Sequence, residues 1–337
     1  MSNAPEKLRA VSWINCLSLS TQQISLTPAV PTRSIAPMLQ HGFAELDDVT
    51  LHYAAAGEGE LILFAHGYPE FWYAWKNQLE EFGLTHLAVA PDLRGYNLSS
   101  KPARVEEYRL EKLLADIAGV AAHFGRKKFT LVGHDWGGFI AWAFALAHPD
   151  ALHGLVIVNA PHPAIFLREL RENPAQQQAS QYIQIFRTQP VEGLFTADNF
   201  QRLIDIVLTP GLRQGYFTDE DQRAYLEAWA QPGAITGGLN YYRAAPLGLE
   251  TIGGPLKLSD FIPGANSWVI KTPTLVIWGE RDEYLLTGLL RGLEDFVPHL
   301  TVQRVPDGTH WVIHEKLEMV NQTIREWIKG LSRREHA

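Results

Sequence analysis

The segment FTLVGHDWGG, residues 129–138, decides the fold. FTLV is typical of a buried strand, and the residues after Gly138 are apolar nearly all round as far as Pro149, which indicates a buried helix. Small residues on both sides of Asp135 permit a sharp strand-to-helix turn that lifts the aspartate above the sheet edge. We therefore predict that Asp135 is a nucleophile at the tip of this turn. An aspartate that only caps a helix is the alternative.

The position of Asp135 suits nucleophilic chemistry. A helix N-terminus stabilises a carboxylate, and its free backbone N–H groups can later hold an oxyanion. No G-x-S-x-G pattern occurs anywhere in the chain, which excludes serine esterase chemistry at this turn.

Short apolar runs alternate with helical patterns on both sides of this segment. The spacing predicts one helix over 110–124 and a closing helix over 317–328. This alternation predicts an α/β fold with a mostly parallel sheet that carries helices on both faces. The predicted strands are 50–56, 61–65, 86–90, 129–132, 154–158, 274–277 and 301–305.

The regular alternation is interrupted between residues 162 and 268. This stretch is polar and helical in texture, with repeated Pro-Gly pairs, and long loops without secondary structure are uncommon. We expect a helical cap there, inserted into a core formed by 40–161 and 269–337. Residues 1–39 fit no targeting pattern and are expected to form an extension that is partly ordered at best.

Composition limits the function classes. The chain has 337 residues, a formal net charge of −8 and one cysteine, Cys16. The acidic balance argues against nucleic acid or an anionic membrane as the main partner, and no apolar run approaches the length of a membrane span. A single cysteine excludes an intrachain disulfide and a multi-cysteine zinc site. We expect a cytoplasmic protein, either a monomer or a homodimer.

An ester formed on Asp135 must be hydrolysed by a water that a base activates and a second carboxylate orients. Asp282 follows the predicted strand 274–277 and is the expected acid, with Glu280 and Glu283 as alternatives. His310 precedes the closing helix and is the expected base. Its alternative, His314, is expected inside that helix.

A metal-protease interpretation fails on one residue. His314 and the glutamate after it begin an H-E-x-x-H pattern, but position 318 is Glu. The pattern therefore predicts no zinc site.

A second loop contributes to the predicted site. His66, Gly67, Tyr68 and Pro69 follow the strand 61–65, at the place where a second oxyanion donor usually arises. We expect the backbone amides of Tyr68 and Trp136 to form the oxyanion hole. Without the turn at Asp135, the same HGYP stretch would be an ordinary loop.

Together these motifs resemble the epoxide hydrolases of the α/β-hydrolase fold. The resemblance runs in the right order from about Gly42 to Gly330 and leaves the N-terminal extension outside. The motifs that carry it are HGYPEFWYAW, DLRGYNLSSKP, GHDWGG, NAPHP, NYYR, WGERDE and GTHW.

The resemblance implies two cap tyrosines that bind the epoxide oxygen, matched here by Tyr182 and Tyr242. Packing in the cap is the alternative role for Tyr182 and for Tyr241. In the implied mechanism Asp135 opens a small hydrophobic epoxide, and water activated by His310 and Asp282 hydrolyses the ester to a vicinal diol. Neither a metal nor an organic cofactor is required.

Two other interpretations stay open. Haloalkane dehalogenases share the Asp nucleophile, but Tyr68 stands where they would carry Asn, and fluoroacetate-type enzymes usually carry Arg where this chain has Trp136. A catalytically silent ligand-binding relative commonly lacks a triad member, whereas all three candidates are present here.

Overall fold

The computed structural model describes residues 38–247, 258, 262 and 264–335. Nearly all of the predicted extension 1–39, and part of the predicted cap, lie outside these residues, and the predicted domain bounds stay predictions. Within the described residues eight strands form one sheet. They are β1 Gln40–Glu45, β2 Thr50–Ala56, β3 Leu61–Ala65, β4 Leu87–Pro91, β5 Phe129–His134, β6 Leu152–Val158, β7 Thr274–Gly279 and β8 Leu300–Val305.

The sheet is mostly parallel, as predicted. Its strand order is β1-β2-β4-β3-β5-β6-β7-β8. Strand β2 pairs antiparallel with both β1 and β4, and every other neighbouring pair is parallel. The chain runs from β3 outward to β4 and returns to β5 on the other side of β3. The loops after β3 and β5 therefore diverge at a topological switch point, where open α/β sheets bind ligands.

Helices flank the sheet and fill the interval between β6 and β7. The α-helices are α1 Lys76–Phe82, α2 Leu110–His123, α3 Asp135–Ala147, α4 Pro163–Glu172, α5 Pro174–Ala179, α6 Gln181–Thr188, α7 Glu192–Leu203, α8 Thr209–Gln214, α9 Asp219–Trp229, α10 Ala234–Ala244, α11 Val312–Glu315 and α12 Leu317–Glu335. A π-helical turn, Ile204–Leu208, joins α7 to α8. Short 3-10 turns occupy Trp72–Trp75, Val105–Tyr108, Pro149–Ala151, Thr287–Leu290 and Leu293–Asp295.

The apolar core lies on both faces of the sheet. Buried side chains of α2 and α3, including Ile117 and Trp142, pack into one cluster. Side chains of α1 and α12, including Leu79 and Ile324, pack into the other. The strands of the middle of the sheet are therefore buried on both sides, which explains their continuous apolar sequences.

The structure adds one strand to the prediction and corrects one expectation. The edge strand β1 is not predicted from the sequence, because exposed Phe43 and the polar residues around it obscure the alternation of apolar and polar side chains. The expectation that His314 belongs to the closing helix is wrong. His314 lies in the separate short helix α11, because the chain leaves helical geometry at Lys316 (φ −124°, ψ 40°) before α12 begins.

The turn between β5 and α3 is strained in the way the sequence predicts. Asp135 has φ of +50°, a left-handed conformation that is uncommon outside glycine. Helix α3 also approaches β3 so closely that a Cβ at Gly137 would lie 2.1 Å from the carbonyl oxygen of Ala65. The glycine therefore permits the packing that keeps the start of α3 against the sheet.

We expect Gly137→Ala to lower the free energy of unfolding by about 2 kcal/mol or more, since the new methyl group meets backbone that cannot move aside. Gly330→Ala is the matched control, because it also lies in a helix and its Cβ would meet no atom within 4 Å. That change should leave stability unchanged or raise it by up to about 1 kcal/mol. Urea denaturation measures both, and equal effects would refute the close-approach argument.

Candidate active site

The predicted site residues meet at one edge of the sheet. Parallel strands place their carboxyl ends at the same edge, and the loops that follow β3, β5, β6, β7 and β8 all start there. These loops carry Tyr68, Asp135, Asn159, Asp282 and His310, respectively. Residues separated by more than 200 positions in sequence therefore become neighbours.

The carboxylate of Asp135 is held from the neighbouring loop. The backbone N–H of Tyr68 donates to Asp135 Oδ1 at 2.7 Å. The loop after β3, which carries Tyr68, is held in place by His66. The Nε2 atom of His66 accepts the backbone N–H of Leu93 at 3.0 Å. The bond between Tyr68 and Pro69 is cis. One oxygen of Asp135 is thus engaged by a backbone donor, and the other faces His310.

His310 lies between two carboxylates. Its Nδ1 is 2.7 Å from Asp282 Oδ2, and its Nε2 is 3.7 Å from Asp135 Oδ2. The first distance is a hydrogen bond, whereas the second is beyond direct hydrogen bonding. The side chains of His310 and Asp282 are 6% and 0% exposed, so the pair is shielded from bulk water. The imidazole is therefore oriented by Asp282 with its other nitrogen directed at Asp135.

Asp282 is itself held in place by hydrogen bonds to both of its carboxylate oxygens. Its Oδ1 accepts the backbone N–H groups of Tyr284 and Leu285 at 2.8 and 2.9 Å. Its Oδ2 accepts the side-chain amide of Asn159 at 2.7 Å in addition to the His310 contact. Burial favours the neutral acid, but His310 and these donors outweigh it and hold the pKa of Asp282 below its usual range.

The electrostatic environment favours protonated His310. Burial by itself would lower its pKa, but Asp282, followed by Asp135 and Glu70, raises it to about 9. The imidazolium form is thus present below that pH and is lost as the pH rises through it. Asp135 raises the pKa of His310 through its negative charge. An ester at this carboxylate would remove that charge and with it this contribution to the pKa.

Two tyrosines face Asp135 from the inserted helices. Tyr182 belongs to α6 and Tyr242 to α10, and their ring centroids are 5.9 Å apart. The ring of Tyr242 also lies edge-on to Trp136 at 5.0 Å. Burial raises the pKa of both phenols well above the ordinary value, so both stay protonated donors at neutral pH.

Asp135 and both tyrosines line two cavities. The larger has a volume of about 370 Å³ and also contacts Tyr68 and His310. The smaller has a volume of about 30 Å³ and includes Trp136 in its wall. All of the predicted side chains that could touch a substrate at Asp135 are therefore on one continuous surface, with mainly apolar walls.

The alternatives from the sequence lie elsewhere. Glu280 pairs with Arg304, and Glu283 is exposed. Tyr241 donates its hydroxyl hydrogen to the carbonyl oxygen of Arg94 at 2.9 Å and lines neither cavity. His314 bonds to Glu70 at 2.7 Å instead of contacting Asp135.

Sequence reasoning gave no role to Asn159 or to a buried charged cluster around Glu70. Glu70 Oε1 accepts the Tyr225 hydroxyl and lies 2.7 Å from His314 Nε2, while its Oε2 is 3.4 Å from Nδ1 of His134. His134 Nε2 in turn lies 2.9 Å from the carbonyl oxygen of His310. The signal was present, because His134 ends β5, Asn159 directly follows β6, and Glu70 lies in the loop after β3, all within the motifs quoted above.

Across 38–247, 258, 262 and 264–335, no group of three or more His, Cys, Asp or Glu side chains could hold a metal ion. In the same part of the chain, no helix is both long enough and apolar enough to cross a membrane.

Comparison with known proteins agrees with this geometry. A family model described as the alpha/beta hydrolase fold matches residues 60–191. Epoxide hydrolase 4 of Mus musculus is 35% identical over 307 residues, which cover 88% of this chain and 81% of the relative. The chain belongs to the epoxide hydrolases of the α/β-hydrolase fold.

Two further proteins have a comparable similarity to this chain. The crystal structure of a mutant epoxide hydrolase from Bacillus megaterium superposes with a TM-score of 0.81 at 37% identity, over 86% of this chain and all of that one. The AB hydrolase superfamily protein YfhM of Bacillus subtilis is also 37% identical, over 86% of this chain and 97% of its own length. The predicted family, fold and hydrolase class are confirmed.

The carboxylates of Asp282 and Asp135 should raise the pKa of His310 by unequal amounts. We expect Asp282→Asn to lower the pKa of His310 from about 9 to near or below its ordinary value of 6.5, since it removes the closest anion. Asp135→Asn should lower it less, because that carboxylate is farther away. Imidazole NMR titration measures both, with the exposed Asp307→Asn as control. A larger effect from Asp135 would contradict this ordering.

Proposed function

We propose that this protein hydrolyses epoxides to vicinal diols through a covalent ester on Asp135. The observation that carries the proposal is the placement of two protonated phenols, Tyr182 and Tyr242, against the same cavity walls as Asp135. An epoxide needs a nucleophile at carbon and a proton donor at oxygen on opposite sides, and this arrangement offers both. The relatives named epoxide hydrolase support the same reaction.

In the first step an oxygen of Asp135 forms a bond to an epoxide carbon. The carbon–oxygen bond of the ring breaks, and its electron pair moves to the oxygen, which receives a proton from Tyr182 or Tyr242. Because the pKa values of the phenols are raised, they are poor acids toward bulk water but can still protonate an alkoxide as it develops. A carboxylate attacks as the anion, so this step needs no base.

In the second step His310 removes a proton from water, and the oxygen attacks the ester carbonyl carbon. The backbone N–H of Tyr68 already contacts Asp135 Oδ1, which suits it to hold the resulting oxyanion together with the amide of Trp136. The tetrahedral intermediate then collapses with cleavage of its bond to the diol oxygen, which takes its proton from the His310 imidazolium. The second proton of the water, left on the Asp135 carboxyl group, is lost to solvent, and the phenolate formed in the first step takes a proton back from solvent. Asp135, His310 and the tyrosine are thereby restored.

Ester formation itself prepares His310 for the second step. Negative charge on Asp135 contributes to the raised pKa of His310, and esterification removes that charge. The imidazole then loses its proton more readily and becomes available as a base. The 3.7 Å separation of Nε2 from Asp135 Oδ2 leaves His310 beside the ester without a direct bond to it.

The phenols distinguish this proposal from a dehalogenase. A departing halide needs N–H donors, whereas a ring oxygen that stays attached to carbon needs a proton. Tyr242→Phe and Tyr182→Phe should each slow formation of the ester by roughly 10²-fold in single-turnover measurements. Tyr241→Phe is the adjacent control and should react normally, because its hydroxyl bonds to the Arg94 carbonyl away from the cavities. An unchanged rate in Tyr182→Phe would assign that residue to packing.

The covalent step is tested by trapping the ester. In His310→Gln, Asp135 should still be alkylated, but hydrolysis should slow by about 10²–10⁴-fold, the usual contribution of a general base. Intact-protein mass spectrometry after mixing with styrene oxide should show the parent mass plus one epoxide, and peptide mapping should place the addition on Asp135.

His314→Gln is the control, because His314 contacts Glu70 and not Asp135. It should turn over without accumulating an adduct. An adduct in His314→Gln but not in His310→Gln would overturn the assignment of the base. Loss of activity in both variants without any adduct would refute the covalent mechanism.

A further inference from the structure

The two cavities that meet at Asp135 differ greatly in size. Asp135, Tyr182 and Tyr242 line both, so an epoxide ring held among these three side chains would border both cavities. The volumes are about 30 Å³ on one side and about 370 Å³ on the other. What each side admits therefore decides which substituents the two epoxide carbons can carry.

The small cavity admits very little. A volume of about 30 Å³ leaves room for roughly two or three water molecules, so only a short substituent fits. Its walls include Phe139, Phe166 and Leu247, which are 6%, 4% and 2% exposed. Close-packed walls of this kind yield little to a larger group.

The large cavity admits a sizeable substituent and continues to the surface. Its volume of about 370 Å³ falls within the range of cavities that hold drug-sized ligands. Ile185 and Leu194 belong to its wall, yet they are 41% and 50% exposed, so the cavity ends at an apolar rim in contact with solvent. A chain longer than the cavity could therefore lie across this rim.

His310 lines only the large cavity. The water that it activates must accordingly reach the ester from that side. The small cavity is thus left for the substrate, and it is not needed as a reservoir for the hydrolytic water.

We infer that the substrates are epoxides with one large apolar substituent, in which the other carbon carries only hydrogen or a short alkyl group such as methyl. The large substituent lies in the large cavity, and the hydrogen or short group lies against Phe166. This inference rests on the proposed function, since it requires the epoxide to sit between Asp135 and the two tyrosines.

Three isomers of epoxyoctane test the inference, because they share one composition and differ only in how carbon is distributed. The 1,2-isomer places hydrogen in the small cavity, the trans-2,3-isomer methyl, and the trans-4,5-isomer propyl. We expect kcat/KM for the first two to agree within about 10-fold and that for the 4,5-isomer to fall by about 100-fold, the effect of misplacing a reacting atom.

A pair of phenylalanine variants separates cavity size from the intrinsic reactivity of the isomers. Phe166→Ala removes a phenyl ring from the small cavity, and Phe195→Ala removes the same ring from the large one. Both side chains are buried, at 4% and 1% exposed. Phe166→Ala should raise the ratio of kcat/KM for the 4,5-isomer over the 1,2-isomer by about 10-fold or more, whereas Phe195→Ala should change it by less than about 2-fold.

If either alanine variant fails to fold, Phe166→Leu and Phe195→Leu make the same comparison with a smaller change. Equal hydrolysis of the 1,2- and 4,5-isomers by the unmodified protein would overturn the inference and leave the proposed function intact. An unchanged ratio in the Phe166 variants would overturn it as well. Failure to hydrolyse any of the three isomers would refute the proposed function, and the inference with it.

Discussion

The close packing of helix α3 against the loop after β3 is the constraint on which the site depends. Gly137 lets the helix start in contact with the Ala65 carbonyl, and the chain reaches that start only by passing through the left-handed conformation of Asp135. That conformation presents the carboxylate to the backbone N–H of Tyr68. Backbone geometry thus positions the carboxylate and supplies a donor to it. A strained residue held by such rigid surroundings is typical of functional sites.

A second constraint is the distribution of charge around His310. Asp282 is fully buried and saturated with hydrogen bonds, so its negative charge is permanent at neutral pH. The side chain of Asp135 is 12% exposed, and it would lose its negative charge when the ester forms in the proposed reaction. One carboxylate therefore gives a constant field and the other a variable one. The imidazole between them would be protonated before alkylation and would become a base after it, so the order of the two steps follows from electrostatics.

The sequence predicted the parts of this arrangement that depend on local pattern. The turn at Asp135, the strand ends that carry Asp282 and His310, and the mostly parallel sheet all follow from short-range periodicity and small residues. Asn159 and Glu70 were missed as participants because their importance comes from contacts across more than 100 positions, with Asp282 and His314 respectively. The short helix α11 was merged with its neighbour, because only tertiary contacts show where one helix ends and the next begins.

The separation between core and inserted helices also explains why the fold alone leaves the substrate undecided. The core contributes Asp135, the imidazole of His310 and the backbone donors, which in the proposed roles would serve an epoxide or a haloalkane equally. The phenols of Tyr182 and Tyr242 come from α6 and α10, and half of the residues that line the large cavity belong to α6, α7 and the π-helical turn after it. In the proposed mechanism, reaction type and substrate shape are thus set by helices that a strand-based pattern describes least well. An epoxide oxygen must be protonated while it remains bonded to carbon, whereas a halide departs as an anion. Two phenols facing one carboxylate therefore favour the epoxide over the haloalkane.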